Sequence, residues 1–183
     1  MTTYATQNSL LLEKLLKFYE DEDRLECMLR IINGESSISL RIVDWFATNY
    51  AKKFFTVYQM KDSGRRFKVY EDYKLRLRAY SKRRFDPFCR WERIMIPYKN
   101  GSSIQTTIGQ LNFFKWALEN GVVDYIRDHY AAIERDMNAR NSTSKRKDKQ
   151  PTSNHTRKKR EELSVSATKS IKQENVEITV KFD

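Results

Sequence analysis

Nearly all the large apolar residues of this chain fall before Met137, and that boundary decides where a core can be built. The stretch beyond it is polar, and such a segment buries too little surface to offset the entropy of ordering it. With 183 residues there is room for one ordinary domain and an appendage. The sequence therefore predicts a folded domain at residues 8–140 and a mostly disordered tail at 141–183. The tail carries one strand-like pattern at 176–182, where Val176, Ile178, Val180 and Phe182 alternate with polar residues.

Charge divides the chain differently. Residues 1–60 carry a net −1 and residues 94–140 are neutral, whereas residues 61–93 carry +7 and the tail +5. The first basic block is mixed with Phe67, Tyr70, Tyr73, Tyr80, Phe85, Phe88 and Trp91. The second has no aromatic residue before Phe182. Two separated basic blocks point to a polyanionic partner, with nucleic acid, DNA or RNA, the first candidate.

Local patterns predict a helix-rich α+β domain with two short β-hairpins. Apolar residues recur at helical spacing from Ser9 to Ile32, as one helix interrupted by the acidic residues 20–23 or as two helices in a hairpin. Gly34 after Asn33 marks a stop, and Ile38, Ile42, Trp45, Phe46 and Tyr50 suggest a helix ending at Lys52 and Lys53. Residues 55–69 read as a first hairpin around Ser63-Gly64, followed by a helix from Tyr70 to Tyr80. Ile94, Ile96 and Tyr98 alternate before Lys99-Asn100-Gly101, predicting a second hairpin that returns through Ser103 to Thr106. Thr107 and Gln110 have capping-box spacing at the start of the next helix, Gly121 interrupts it, and residues 122–140 read as one long final helix. Cys27 and Cys89 are expected to be buried free thiols.

The candidate binding surface lies within residues 61–93. Lys74, Arg76, Arg78, Lys82, Arg83 and Arg84 fall within eleven positions, with Arg90 and Arg93 following, so a helix and its exit loop can present cations to successive phosphates. Tyr80, Phe85, Phe88 and Trp91 can stack on bases where they are exposed. The alternative is that these aromatics are core and the cations a solvated face, paired with the acidic residues 20–23. Asp86, between Phe85 and Pro87, reads as a turn residue rather than a catalytic acid.

The tail adds Lys145, Arg146 and Lys147, then Arg157, Lys158, Lys159 and Arg160, across a polar spacer. This arrangement fits a bipartite nuclear-import signal, nonspecific nucleic-acid binding or a solubilising tail. The strand-like terminus at 176–182 is a candidate for adding to a sheet edge of this or another protein. Residues 110–130 have some features of a helix-turn-helix, but Asp124 and Asp128 would make the second helix acidic, and an ordinary helical hairpin fits better.

No spacing recommends catalysis. His129 and His155 lack the Cys or carboxylate neighbours of a zinc site, and the five glycines form no phosphate loop. No catalytic residue, metal ligand or cofactor is expected. With no signal peptide and no apolar run of the roughly 20 residues that span a bilayer, the chain reads as soluble and intracellular, without a membrane partner.

Several stretches carry a resemblance: Ile31-Ile32-Asn33-Gly34-Glu35-Ser36, Leu40-Arg41-Ile42-Val43-Asp44-Trp45-Phe46, Phe85-Asp86-Pro87-Phe88-Cys89-Arg90, Thr106-Thr107-Ile108-Gly109-Gln110-Leu111-Asn112-Phe113-Phe114, and the tail run from Thr156 to Ser166. Over most of its length the chain resembles an uncharacterised family encoded by nucleocytoplasmic large DNA viruses, the giant viruses of algae and protists. That resemblance transfers no catalytic residues. It implies a viral context: a protein packaged in the virion, or acting in replication, transcription or genome packaging in the host cytoplasm or nucleus. The expectation is a non-enzymatic nucleic-acid-binding or accessory protein. The rival expectation is a minor structural or assembly protein of the virion whose tail binds neighbouring proteins.

Overall fold

The computed structural model describes residues 6–147 and 173–174. Two helices open the chain, α1 (Gln7–Tyr19) and α2 (Glu22–Ile32). The acidic interruption thus makes a hairpin, because the Asp21 carboxylate accepts from the Asp23 amide at 3.1 Å and caps α2. Asn33 ends α2 and Gly34 follows with φ +76°, the left-handed stop read from sequence. Ser39 then caps α3 (Leu40–Trp45), which continues as a π-helical segment (Phe46–Tyr50) and a last turn, α4 (Ala51–Lys53). Within that run the Thr48 hydroxyl donates to the Asp44 carbonyl at 2.7 Å, competing for an acceptor of the α-helical ladder where the pitch widens.

Strands β1 (Val57–Gln59) and β2 (Arg66–Lys68) form the first hairpin, pairing Val57 with Lys68 and Gln59 with Arg66. It leads directly into α5 (Val69–Arg84). The second hairpin pairs β3 (Arg93–Pro97) with β4 (Ser103–Thr107), Arg93 lying opposite Thr107 and Pro97 opposite Ser103. Ile96, Ile104 and Thr106 face the core while Arg93, Met95 and Pro97 face out, the alternation a half-buried antiparallel pair requires. A third strand, β5 (Gln173–Glu174), pairs antiparallel with β4 through Ser103 and Ile104. The sheet edge therefore receives a segment from the tail. The predicted strand at 176–182 lies outside the described residues.

Helix α6 (Ile108–Glu119) is the centre of the domain. It packs against α1, α5, β4 and α7 (Val122–Asp128), and nine of its twelve residues are buried, so it is a core helix rather than an amphipathic surface helix. Its Phe113 and Trp116 meet Tyr73 of α5 and Phe85, with Phe85 5.6 Å from Phe113 and 5.7 Å from Trp116 by ring centroids. Such ring pairs add about 0.5–1.5 kcal/mol each beyond the area they bury. The indole N–H groups are also used, Trp116 donating to Asp72 at 2.7 Å and Trp45 to Asp136 at 3.1 Å.

The expected single helix over 122–140 is instead two, α7 and α8 (Tyr130–Lys147), broken at His129. His129 has φ −118° and ψ +19°, its ring stacks on Tyr125 at 4.0 Å, and its Nδ1 donates to the Tyr125 carbonyl at 3.0 Å. No Gly or Pro announces this break. Gly121, with φ +65°, makes the preceding turn as expected. Helix α7 is short, with Asp124 and Asp128 exposed. Both cysteines are free thiols, Cys89 buried and Cys27 half-buried.

Candidate functional site

The site is assembled where α5 ends. Ser81 interrupts the helix with φ +62° and ψ +166°, a conformation almost confined to glycine, and so redirects Lys82, Arg83 and Arg84 away from the helix axis. Phe85, 1% exposed, then plugs the chain into the aromatic core. Asp86 accepts from the Phe88 amide at 2.8 Å, a local turn bond, as its sequence neighbours suggested. Glu92, again left-handed at φ +51°, ends the segment.

The first turns of α6 clamp this loop by its backbone. Asn112 Nδ2 donates to the Arg84 carbonyl at 2.8 Å, Gln110 Nε2 to the Pro87 carbonyl at 3.1 Å, and Thr107 Oγ1 to the Cys89 carbonyl at 3.3 Å. The Cys89 thiol adds a contact to the Arg83 carbonyl at 3.2 Å. These side chains belong to buried residues, so leaving their donors without the loop carbonyls is costly and the loop is firmly held. Thr107 is the helix cap predicted from sequence, accepting from the Gln110 amide at 3.2 Å. The Gln110 side chain reaches the loop, and its Oε1 accepts from Thr106 Oγ1 at 3.3 Å.

On this support stand Arg83, Arg84, Arg90, Trp91 and Arg93. Trp91 is 65% exposed, and the Arg83 guanidinium lies 5.1 Å from its ring centroid. Arg84 donates to Gln7 Oε1 at 3.3 Å and Arg93 to Gln105 Oε1 at 3.2 Å, both neutral partners. Among the described residues none of these four arginines has a carboxylate within ion-pair distance. The acidic residues 20–23 do not pair with them either: Asp21 takes Arg24 and Glu22 takes Lys99. One carboxylate does border the loop, Glu92, which accepts from Asn8 Nδ2 at 3.3 Å.

The other sequence candidates fall elsewhere. Lys74 lies over Tyr70 at 5.8 Å, in a cluster that Lys52 joins at 5.7 Å. Arg76 is ion-paired with Asp72 at 3.5 Å, and Arg78 is exposed without an acidic partner among the described residues. The exposed Lys82 is felt by two acids: burial and then the Asp86 charge push the Asp44 carboxyl up to about 7, against the pull of Lys82. Burial also raises Asp86, opposed by its bond from Phe88 and by Lys82. Tyr80 and Phe88 are half-buried and pack on the core, so Trp91 is the aromatic residue of this group that is open to solvent. Lys145, Arg146 and Lys147 form the last turn of α8; Arg157, Lys158, Lys159 and Arg160 lie outside the described residues.

Gln110 and Asn112 carry the site without having been singled out for it. Their signal is present in sequence: two amides among the apolar residues of the first turns of a helix that is too buried to leave them solvated. What sequence does not show is the partner, 23 and 28 positions away.

No solved structure matches the chain. A curated relative, "Uncharacterized protein L507" of Acanthamoeba polyphaga mimivirus, is 43% identical over 151 residues, which is 78% of this chain. The chain spans 58% of that relative's length. The match to the Family of unknown function (DUF7197) runs over residues 2–181, and so takes in the clamped loop, helix α6 and the tail alike. Its extent and the mimivirus relative bear out the giant-virus resemblance: the chain belongs to the Family of unknown function (DUF7197).

Proposed function

We propose that this protein is a non-enzymatic nucleic-acid-binding protein that engages the phosphate backbone through Arg83, Arg84, Arg90 and Arg93, with the basic tail adding nonspecific affinity. The observation that supports it is the combination of an exposed tryptophan on a clamped loop with four arginines, on that loop and at its two ends, that have no carboxylate within ion-pair distance among the described residues. A solvated face kept only for solubility has no need of a rigid support. Cations held in place lose little freedom on meeting a polyanion, so more of their attraction is left as affinity. Arginine is also suited to phosphate, because its planar fork donates two parallel hydrogen bonds.

The test is binding of the full chain to DNA and to RNA as salt is varied. Affinity measurable at about 50 mM salt should weaken by orders of magnitude by about 200 mM, as each neutralised phosphate releases counterion. Absence of binding to either polymer at low salt would sink the proposal.

A further inference from the structure

The geometry of the Trp91 loop narrows the ligand, and the inference rests on the nucleic-acid reading above: we infer that the loop takes a single-stranded polynucleotide, with one unstacked base lying on the Trp91 indole between the flanking arginines. Trp91 keeps 65% of its surface in solvent although the Arg83 guanidinium lies over its ring. Among the described residues no other ring packs against it. An indole is the largest π-surface a protein offers, and every base presents a matching face whatever its sequence. Exposing it to water is unfavourable in the free protein, which a stacked base reverses.

A duplex does not use such a surface. Its bases are already stacked on one another, and only their edges are reachable from the grooves, by a helix or ribbon that enters them. The Trp91 loop is neither. It is tied down at the Arg84, Pro87 and Cys89 carbonyls by Asn112, Gln110 and Thr107, so it cannot extend into a groove. In a single strand, base and phosphate are both accessible. Arg83 lies over the ring, Arg90 and Arg93 are exposed near Trp91 in sequence, and all three are available for the phosphates on either side of a stacked base. Glu92, held by Asn8, excludes phosphate from its own side and so gives the strand a preferred line across the loop.

The experiment compares three labelled probes with the full chain at one low salt concentration: a mixed-sequence single-stranded DNA, the RNA of the same sequence, and the DNA duplex. The single strands should bind more tightly than the duplex, with the DNA and RNA arms showing which sugar is preferred. Trp91→Ala should weaken single-strand binding by roughly 5- to 150-fold, the range of one base–aromatic stack, and so narrow its margin over the duplex. Trp91→Phe should recover most of the loss. Because Trp91 is exposed, both variants should fold, which thermal unfolding verifies. Tryptophan fluorescence should be quenched by single strands in the wild type and markedly less in Trp91→Phe, since Trp116 is buried and Trp45 half-buried. Duplex binding as tight as single-strand binding, or single-strand binding unaffected by Trp91→Ala, overturns the inference and leaves the nucleic-acid reading standing. Failure to bind any of the three probes overturns that reading, and this inference with it.

Discussion

Gly109 sets how closely the arginine loop can lie against the core. A Cβ there would stand 2.8 Å from the Cys89 Cβ, 2.9 Å from the Arg83 carbonyl oxygen and 3.1 Å from that of Asp86, and two of these three atoms are backbone held by other bonds. Elsewhere in a helix, glycine to alanine gains roughly 0.5–1 kcal/mol by reducing the freedom of the unfolded chain. Here the sign should reverse. Gly109→Ala is expected to destabilise the protein by about 1–3 kcal/mol, the usual cost of overpacking, measured by denaturant titration. Unchanged or increased stability would show that the loop does not press on α6 as described. Ser81 and Glu92 carry the complementary strain, since both adopt left-handed backbone at the two ends of the segment that Gly109 admits.

The junction of α3 with the loop carries a pH dependence. Asp44, on α3, has its carboxyl raised to about 7 by burial and then by Asp86, with Lys82 opposing and Tyr73 close by. An unfolded aspartate titrates near 3.9, so between about pH 4 and pH 7 the folded protein binds more protons than the unfolded one. Stability must therefore fall as pH rises through that window. Asp86, also raised, adds a contribution of the same sign. The carboxyls held low, Glu26 by its hydrogen bond from Lys99 and Asp136 by Lys53 and Trp45 in spite of burial, act only below about pH 4.5. Denaturation midpoints should be higher at about pH 5 than at about pH 8, and Asp44→Asn should remove most of the difference. A variant that keeps the full slope would place the effect elsewhere.

The elements themselves were largely legible. Helical spacing marked α1, α2 and α5, alternation marked both hairpins, and Gly34, Gly121 and Thr107 marked stops and a cap, because each of these signals is local. What escaped was set by distant contacts or by strain without a glycine. The breaks at Ser81 and His129 have neither Gly nor Pro, and the π segment coincides with a bond from the Thr48 hydroxyl to the Asp44 carbonyl. The clamp joins residues far apart in sequence. Of the candidate cations, Arg83, Arg84, Arg90 and Arg93 border the clamped loop, while Lys74 and Arg76 lie before the kink at Ser81, Arg76 paired with Asp72, and the charge of Lys82 opposes the rise of Asp44. A run of charge in sequence does not reveal which members share a surface.

Taken whole, the molecule is a core-centred domain whose central helix does two jobs. Helix α6 supplies the hydrophobic axis, and its first turns hold the loop that displays the arginines. The family match across residues 2–181 includes the tail, and β5 brings part of that tail back to the β3–β4 sheet, whose outer face carries Arg93. On the proposed reading the folded loop and the tail act on the same polyanion, with only the loop requiring a particular geometry. The most direct test separates them by the salt dependence of single-strand binding in the wild type and in Arg83→Gln/Arg90→Gln/Arg93→Gln. If the loop contacts phosphates, the variant should bind more weakly and its log–log salt slope should be shallower by about 2, near 0.7 for each lost contact. A variant with the affinity and slope of the wild type would contradict the account and leave all binding to the tail.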